Sequence, residues 1–250
     1  MAASKEPGAP RLAALASLIA DETRAACLLA LLDGRAWTAG ELARHAGVAA
    51  STASEHLGKL VAGGLLAEER QGRHRYLRLA DAQVAQLLEG LAGYAVPGGG
   101  ERPPTLRAAS ARTAMARGRT CYDHLAGRLG ITVTDAMVGR GLLRADAEPG
   151  GSGGSGDSPA PSTFTLTDAG HGWFRALGAP LEPGSRRPLT RGCLDWTERR
   201  LHLAGRAGAT LCAHAFEAGW VERVGSERAV RVTGAGERAL RAELGVPALR

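Results

Sequence analysis

The stretch ELARHAGVAASTASEHLGKLVAGGLL, residues 41–66, carries two helical patterns split by a four-residue joint. The first lies in TAGELARHAG, where the Thr38 hydroxyl can cap the helix start and Gly47 can close its end in a left-handed conformation. In the second, STASEHLGKLVAGG, Ser51 or Thr52 can cap, and Leu57, Leu60 and Val61 keep the 3.6-residue period of one buried face. Two short helices joined in this way predict a helix-turn-helix.

After Gly63-Gly64 the period drops to two in LLAEERQGRHRYLRLA, with Gln71-Gly72 marking a tight turn, which predicts an arginine-rich β-hairpin. Upstream, Leu12 to Ala20 reads as a short apolar helix, and Asp21 can cap a second, ETRAACLLALLDG, ended by Asp33-Gly34. Downstream, DAQVAQLLEGLAGY reads as a further helix before VPGGGERPP breaks the chain. The expected organisation is a winged helix-turn-helix domain over residues 1–97, a linker over 98–106 and a second domain over 107–250.

The 250 residues suffice for one large or two modest domains, and the formal net charge is +6, with a pI near 9.7. Such a balance favours an anionic partner, nucleic acid or a membrane surface. No window approaches the roughly 20 apolar residues of a membrane span, and MAASKEPGAPR lacks the apolar centre of a secretory signal, so a cytoplasmic location is expected. Scarce aromatics and abundant alanine point to helix-rich cores of Leu, Ala and Val. The expected class is mainly α with small β-hairpin wings (α+β). Cys27, Cys121, Cys193 and Cys212 form no CxxC pair, so neither a disulfide framework nor a structural zinc motif is signalled.

In the second domain the heptapeptide HLAGRLG, from His124, recurs as HLAGRAG from His202. From His124 to Gly141 is seventeen residues, and from His202 to Gly219 is also seventeen. From Gly141 to Gly170 is twenty-nine residues, against seventeen from Gly219 to Gly236, and the twelve-residue EPGGSGGSGDSP (148–159) accounts for the difference. Taken as a flexible insertion in one hairpin, it leaves two repeats, about residues 119–178 and 191–245. They read as two abbreviated winged-helix-like units, with the heptapeptide as the signature of each first helix.

Residues 11–94, with the quoted stretch followed by GRHRYLRL, resemble the ArsR/SmtB-type winged-helix transcriptional regulators. RTCYDHLAG and CLDWTERRLHLAG in the extension look like a long subgroup of that family. The resemblance implies a homodimer on double-stranded DNA at a pseudo-palindromic operator, with repression as the usual outcome. A recognition helix enters the major groove with its N-terminal residues at base edges. This nominates Ser51, Thr52 and Ser54, then Glu55, His56 and Lys59 one turn on. The wing brings Arg70, Arg73, His74, Arg75 and Arg78 to phosphates or the minor groove. The plainer reading makes Ser51 a cap, His56 a packed residue and the wing a solvated edge. Leu12, Leu15 and Leu18, with the helix from Asp81 to Tyr94, can form the dimer seam.

Many members of the family that the chain resembles sense metal through cysteines in the helix before the recognition helix, but ELARHAG has none, and His45 reads as solvent-facing. The candidate sensor residues are Cys121 and Cys193, each within Arg-x-Cys-x-Asp near an expected helix start, with His124 beside the first. Three readings stand: a thiol switch for an oxidant or electrophile, a thiophilic metal held irregularly by Cys121, Asp123, His124 and Cys193, and buried residues packing the repeat interface. No cofactor is expected and no metal ligand set is assigned. An organic ligand in a cleft lined by Trp173, Trp196, Trp220, Tyr122, Phe174 and Phe216 fits any of them, and Trp196 and Arg200 sit one helical turn apart for a cation-π stack.

The expected function is a sequence-specific DNA-binding regulator, repressing until a small molecule, oxidant or thiophilic species reaches the second domain. One alternative is a metal-responsive regulator using Cys121, His124 and Cys193. A cysteine enzyme with Cys121 as nucleophile and His124 as base belongs to another class, and no phosphate-binding loop, HExxH or GxSxG supports it. An interaction module that keeps only the winged-helix shape is a third class, against which the basic wing argues.

Overall fold

The computed structural model describes residues 6–72, 74–94, 106–146, 163–182, 187–225 and 228–247. Arg73, the linker up to residue 105 and the Gly/Ser segment 148–159 lie outside the described residues. The chain divides into two units, Met1–Leu88 and Glu89–Arg250. The division falls inside a helix, ahead of the expected boundary at residue 97. Among the described residues no helix is long and apolar enough to cross a membrane.

The first unit opens with α1 (Ala9–Ile19) and α2 (Glu22–Ala30), and the Asp21 carboxylate caps α2 by accepting from the Arg24 N–H at 2.9 Å. Helix α3 (Ala39–Ala46) begins in a reciprocal box in which Thr38 Oγ1 accepts from the Glu41 N–H and the Glu41 carboxylate accepts from the Thr38 N–H. It ends at Gly47, whose φ of 69° is a conformation that glycine adopts without penalty. Helix α4 (Ala50–Ala62) follows. Its cap is Ala49, since the Ala53 N–H already bonds the Ala49 carbonyl at 2.9 Å. Ser51 and Thr52 therefore lie inside the first turn, which corrects their expected capping role. Strands β1 (Trp37–Thr38), β2 (Leu66–Gln71) and β3 (His74–Leu79) form an antiparallel sheet in the order β1-β3-β2. Leu28, Leu32, Leu42, Leu57, Leu60 and Leu77 are fully buried and hold helices and wing together, each contributing about 1.5–3 kcal/mol by transfer. Helix α5 (Ala82–Tyr94) follows the wing, capped by Asp81.

The second unit runs through one order of elements twice: hairpin, helix, hairpin, helix. After α6 (Leu106–Arg117), the first pass is β4 (Arg119–Cys121) with β5 (His124–Ala126), α7 (Gly127–Gly139), β6 (Leu143–Asp146) with β7 (Thr163–Leu166), and α8 (Asp168–Ala176). The second is β8 (Arg191–Leu194) with β9 (Leu201–Ala204), α9 (Gly205–Glu217), β10 (Val221–Arg223) with β11 (Val230–Val232), and α10 (Gly234–Leu244). Each hairpin is antiparallel. Thr167 and Thr233 close the later hairpins alike, each donating its hydroxyl at 2.6 Å, to the Gly141 and Gly219 carbonyls respectively.

Each heptapeptide is a strand that turns into a helix, not the first helix of a unit. His-Leu-Ala completes the hairpin, and the first glycine bends the chain into α7 or α9 with φ of 70° at Gly127 and 82° at Gly205. A Cβ would stand 2.8 Å from the Ala116 carbonyl oxygen at Gly127 and 2.9 Å from the Leu189 carbonyl oxygen at Gly205, so backbone approach demands glycine as well. The Arg-x-Cys-x-Asp runs accordingly begin on strands β4 and β8 and not at helix starts, which corrects their expected placement.

Four of the six nominated aromatic residues join the core. Phe174 and Trp220 are buried in it, Trp173 and Phe216 pack against it, and two open clefts of this unit are lined by none of the six nominated aromatics. Trp196 lies 4.7 Å under the Arg119 guanidinium, while Arg200 pairs with Asp135, because the segment joining β8 to β9 is a turn and not a helix.

Candidate functional site

The first unit presents the start of α4 and the β2–β3 wing. Ser51, Thr52 and Ser54 are exposed on the first two turns of α4, their hydroxyls not spent on capping. Lys59, one turn further, pairs with Glu55 at 2.7 Å on the solvent side. His56 faces inward, its Nδ1 3.3 Å from Arg24 and 3.4 Å from Asp21, and so fastens α4 to the start of α2.

In the wing, cross-strand pairing puts Arg70 opposite Arg75, and His74 opposite Gln71 on the other face with Arg78. Glu68 separates the like charges, meeting Arg75 at 2.7 Å and Arg70 at 3.2 Å. The wing cations thus divide between two faces, and one pair is partly neutralised. His45 is exposed, edge-on to Trp37 with ring centroids 5.6 Å apart.

The second unit gathers a different chemistry. β4 and β5 pair Cys121 with His124, and β8 and β9 pair Cys193 with His202, so each hairpin carries a cross-strand Cys-His pair. The ligand atoms of all four lie within 4.8 Å of one another. The two sulfurs stand 3.7 Å apart, and the two imidazoles stack with centroids 5.0 Å apart. Cys121, His124 and His202 are 1%, 4% and 0% exposed, and Cys193 is half-buried. The last glycine of each heptapeptide lies beside the other copy's histidine: a Cβ on Gly208 would press within 3.2 Å of His124 Cβ, while one on Gly130 would stand in ordinary contact at 3.7 Å from His202 Cβ.

The aspartate of each Arg-x-Cys-x-Asp run stands behind one of these imidazoles. Asp123 Oδ1 is 3.3 Å from His124 Nδ1, and Asp195 Oδ2 is 3.7 Å from His202 Nδ1, the second longer than a hydrogen bond. Arginines balance both carboxylates. Arg187 donates both terminal nitrogens to Asp123, and the fully buried Arg119 meets the fully buried Asp195 at 3.0 Å. Asp195 further accepts from the Gly127 N–H at 2.6 Å. Nε2 of both His124 and His202 has no hydrogen-bond partner among the described residues.

These surroundings set the charge states. The hydrogen bond from Cys121 shifts the Cys193 thiol strongly toward thiolate, with the two imidazoles adding to the effect, while burial keeps Cys121 protonated. Burial works against an imidazolium at His124, but the adjacent Asp123 carboxylate and Cys193 sulfur outweigh it and carry its pKa to about 9. Cys27 and Cys212 are ordinary core thiols, pushed by burial to about 11 and about 12.

Sequence reasoning reaches Cys121, His124 and Cys193 but misses His202. The signal is present, because His202 holds in the second heptapeptide the place that His124 holds in the first. Asp123, considered as a fourth ligand, is engaged by Arg187 and stands behind His124 instead.

Residues 19–69 match a family described as a helix-turn-helix domain. The chain is 36% identical over 239 residues to YdfF of Bacillus subtilis, named as an uncharacterized HTH-type transcriptional regulator, over 95% of this chain and 98% of that protein. The HTH-type transcriptional regulator CmtR of Mycobacterium tuberculosis is 42% identical over 77 residues, 31% of this chain and 64% of CmtR. Among solved structures, HlyU from Vibrio cholerae is 26% identical and matches 36% of this chain and 97% of HlyU at a TM-score of 0.34.

Proposed function

The chain belongs to the ArsR/SmtB-type winged-helix transcriptional regulators, and on that premise we propose that it is an operator-binding repressor released by an effector sensed in its second unit. The observation that carries the DNA-binding reading is the start of α4. A helix capped by Ala49 leaves the hydroxyls of Ser51, Thr52 and Ser54 exposed at the end that enters a major groove. Lys59 and the wing residues Arg70, Arg73 and Arg75 supply phosphate contacts, and His56 keeps the helix in place for them.

The dimer seam lies on α1 and α5. Helix α1 has no buried residue within the single chain, and Leu12 is 68% exposed. A second copy covering this face gives the two-fold symmetry that a pseudo-palindromic operator requires. The protein works in the cytoplasm, where its DNA is. Cys121, His124 and Cys193 are the sensor residues, since they meet in one buried cluster.

The test is footprinting with the full chain on the DNA flanking its own gene. Protection of a short palindromic segment, resistant to excess random DNA, is expected. Binding without preference for any segment removes the operator-binding role.

A further inference from the structure

We propose that Cys121, His124, Cys193 and His202 together form a tetrahedral site for a zinc-class divalent cation. The proposal deepens the sensor reading above by naming the chemical class of the effector, and the site itself can be tested without DNA.

Distance is the first argument. Two thiolates bound at about 2.3 Å to one tetrahedral ion stand about 3.8 Å apart, and the sulfurs of Cys121 and Cys193 are 3.7 Å apart. A disulfide needs about 2.0 Å, so the pair sits at the edge length of a coordination tetrahedron.

The imidazoles supply the second argument. A metal-binding histidine holds its other ring nitrogen against a carboxylate. Asp123 stands 3.3 Å from Nδ1 of His124, which leaves Nε2 of that ring for the cluster; Asp195 stands 3.7 Å from Nδ1 of His202 without a hydrogen bond, so that ring can offer either nitrogen. Both Nε2 atoms are buried and lack a hydrogen-bond partner among the described residues. Buried nitrogens left without a partner are destabilising unless something binds them.

Charge is the third. Two thiolates balance a divalent ion, and Arg187 and Arg119 balance the two carboxylates, so the filled site is neutral in a buried setting. Two soft sulfurs with two imidazoles favour Zn²⁺, Cd²⁺ or Co²⁺ over the oxygen-seeking Mg²⁺ and Ca²⁺. Four protein ligands leave no open position, which suits an ion that is held or sensed and not one that performs catalysis.

For the test, the full chain is purified under reductant, stripped with EDTA and titrated with CoCl₂ in the absence of DNA. One equivalent of cobalt per chain is expected, with the strong visible bands of tetrahedral cobalt and a thiolate-to-metal charge-transfer band, both bleached by ZnCl₂. Asp123→Asn weakens zinc binding by about 10-fold, and Cys193→Ser or His202→Gln by at least about 100-fold. If the ligand variants do not fold, the wild-type titration and the half-buried Asp123 variant decide. No uptake by the folded wild-type chain, a pale octahedral spectrum, or undiminished uptake by folded Cys193→Ser overturns the site. Stoichiometric tetrahedral binding that leaves operator affinity unchanged keeps the site and removes only its regulatory role.

Discussion

The imidazoles of His124 and His202 stack with centroids 5.0 Å apart and planes inclined at 29°, although seventy-eight residues separate them in the chain. Each is the first residue of a heptapeptide, and the last residue of each heptapeptide is a glycine packed against its own strand and beside the other copy's histidine. A methyl group on Gly208 would meet the Leu203 carbonyl oxygen at 2.6 Å, and one on Gly130 the Leu125 carbonyl oxygen at 2.4 Å. Gly208→Ala and Gly130→Ala should each destabilise the second unit by about 1–3 kcal/mol. Gly172→Ala, in the middle of α8 with nothing within 4 Å of the added methyl, should stabilise by about 0.5–1 kcal/mol. Urea midpoints for the three variants check this, and equal shifts would show that close approach is not what the heptapeptide glycines provide.

The buried Arg119–Asp195 pair ties strand β4, which carries Cys121, to the turn that follows strand β8, which carries Cys193. Asp195→Asn leaves a guanidinium uncompensated in the interior, for a loss of about 3–5 kcal/mol. Chemical denaturation measures it, and a loss below about 1 kcal/mol would mean that water reaches Arg119 when its partner is gone.

Glu68 holds Arg75 and Arg70 on one face of the wing. Glu68→Gln removes a charge that repels phosphate and frees both guanidinium groups, so DNA affinity should rise several-fold and the slope of log affinity against log salt should steepen by about 1. Anisotropy titrations at several salt concentrations read both quantities. A slope equal to that of the wild type would place this face of the wing away from the DNA backbone.

Asp21 and Glu41 are held below their ordinary values of 3.8 and 4.5, chiefly by the backbone N–H groups of Arg24 and Thr38 that they accept from. A folded pKa below the unfolded one gives stability that is complete above the unfolded value and lost as pH falls through the folded one. The first unit should therefore weaken between about pH 5 and pH 3, and less steeply in Asp21→Asn, whose amide oxygen still caps α2. Urea melts at the two pH values test this; parallel losses in both proteins would assign the acid sensitivity elsewhere.

What the sequence discloses follows the range of the interactions involved. The first unit is legible because its signals are local: Thr38 with Glu41 starts α3, Gly47 stops it, and Leu57 and Leu60 keep one face of α4. The cap of α4 is misread, because serine and threonine look like caps while the bond from Ala53 to Ala49 needs no side chain. In the second unit the counting of residues finds the corresponding positions, yet the heptapeptide passes for a helix because its strand portion is three residues long. His202 is missed for a different reason. Its role depends on the packing of one hairpin against the other, which spacing along one strand does not reveal.

The proposed reading of DNA sequence by α4 is tested most directly by the Ser51→Ala/Thr52→Ala double variant. Neither hydroxyl caps the helix, so the melting temperature should stay within the small range of a neutral surface change. Affinity for the footprinted operator should fall by about 10-fold or more, with binding to random DNA unchanged. Operator affinity equal to that of the wild type, measured by anisotropy at the same salt concentration, would contradict the assignment of α4 to the major groove.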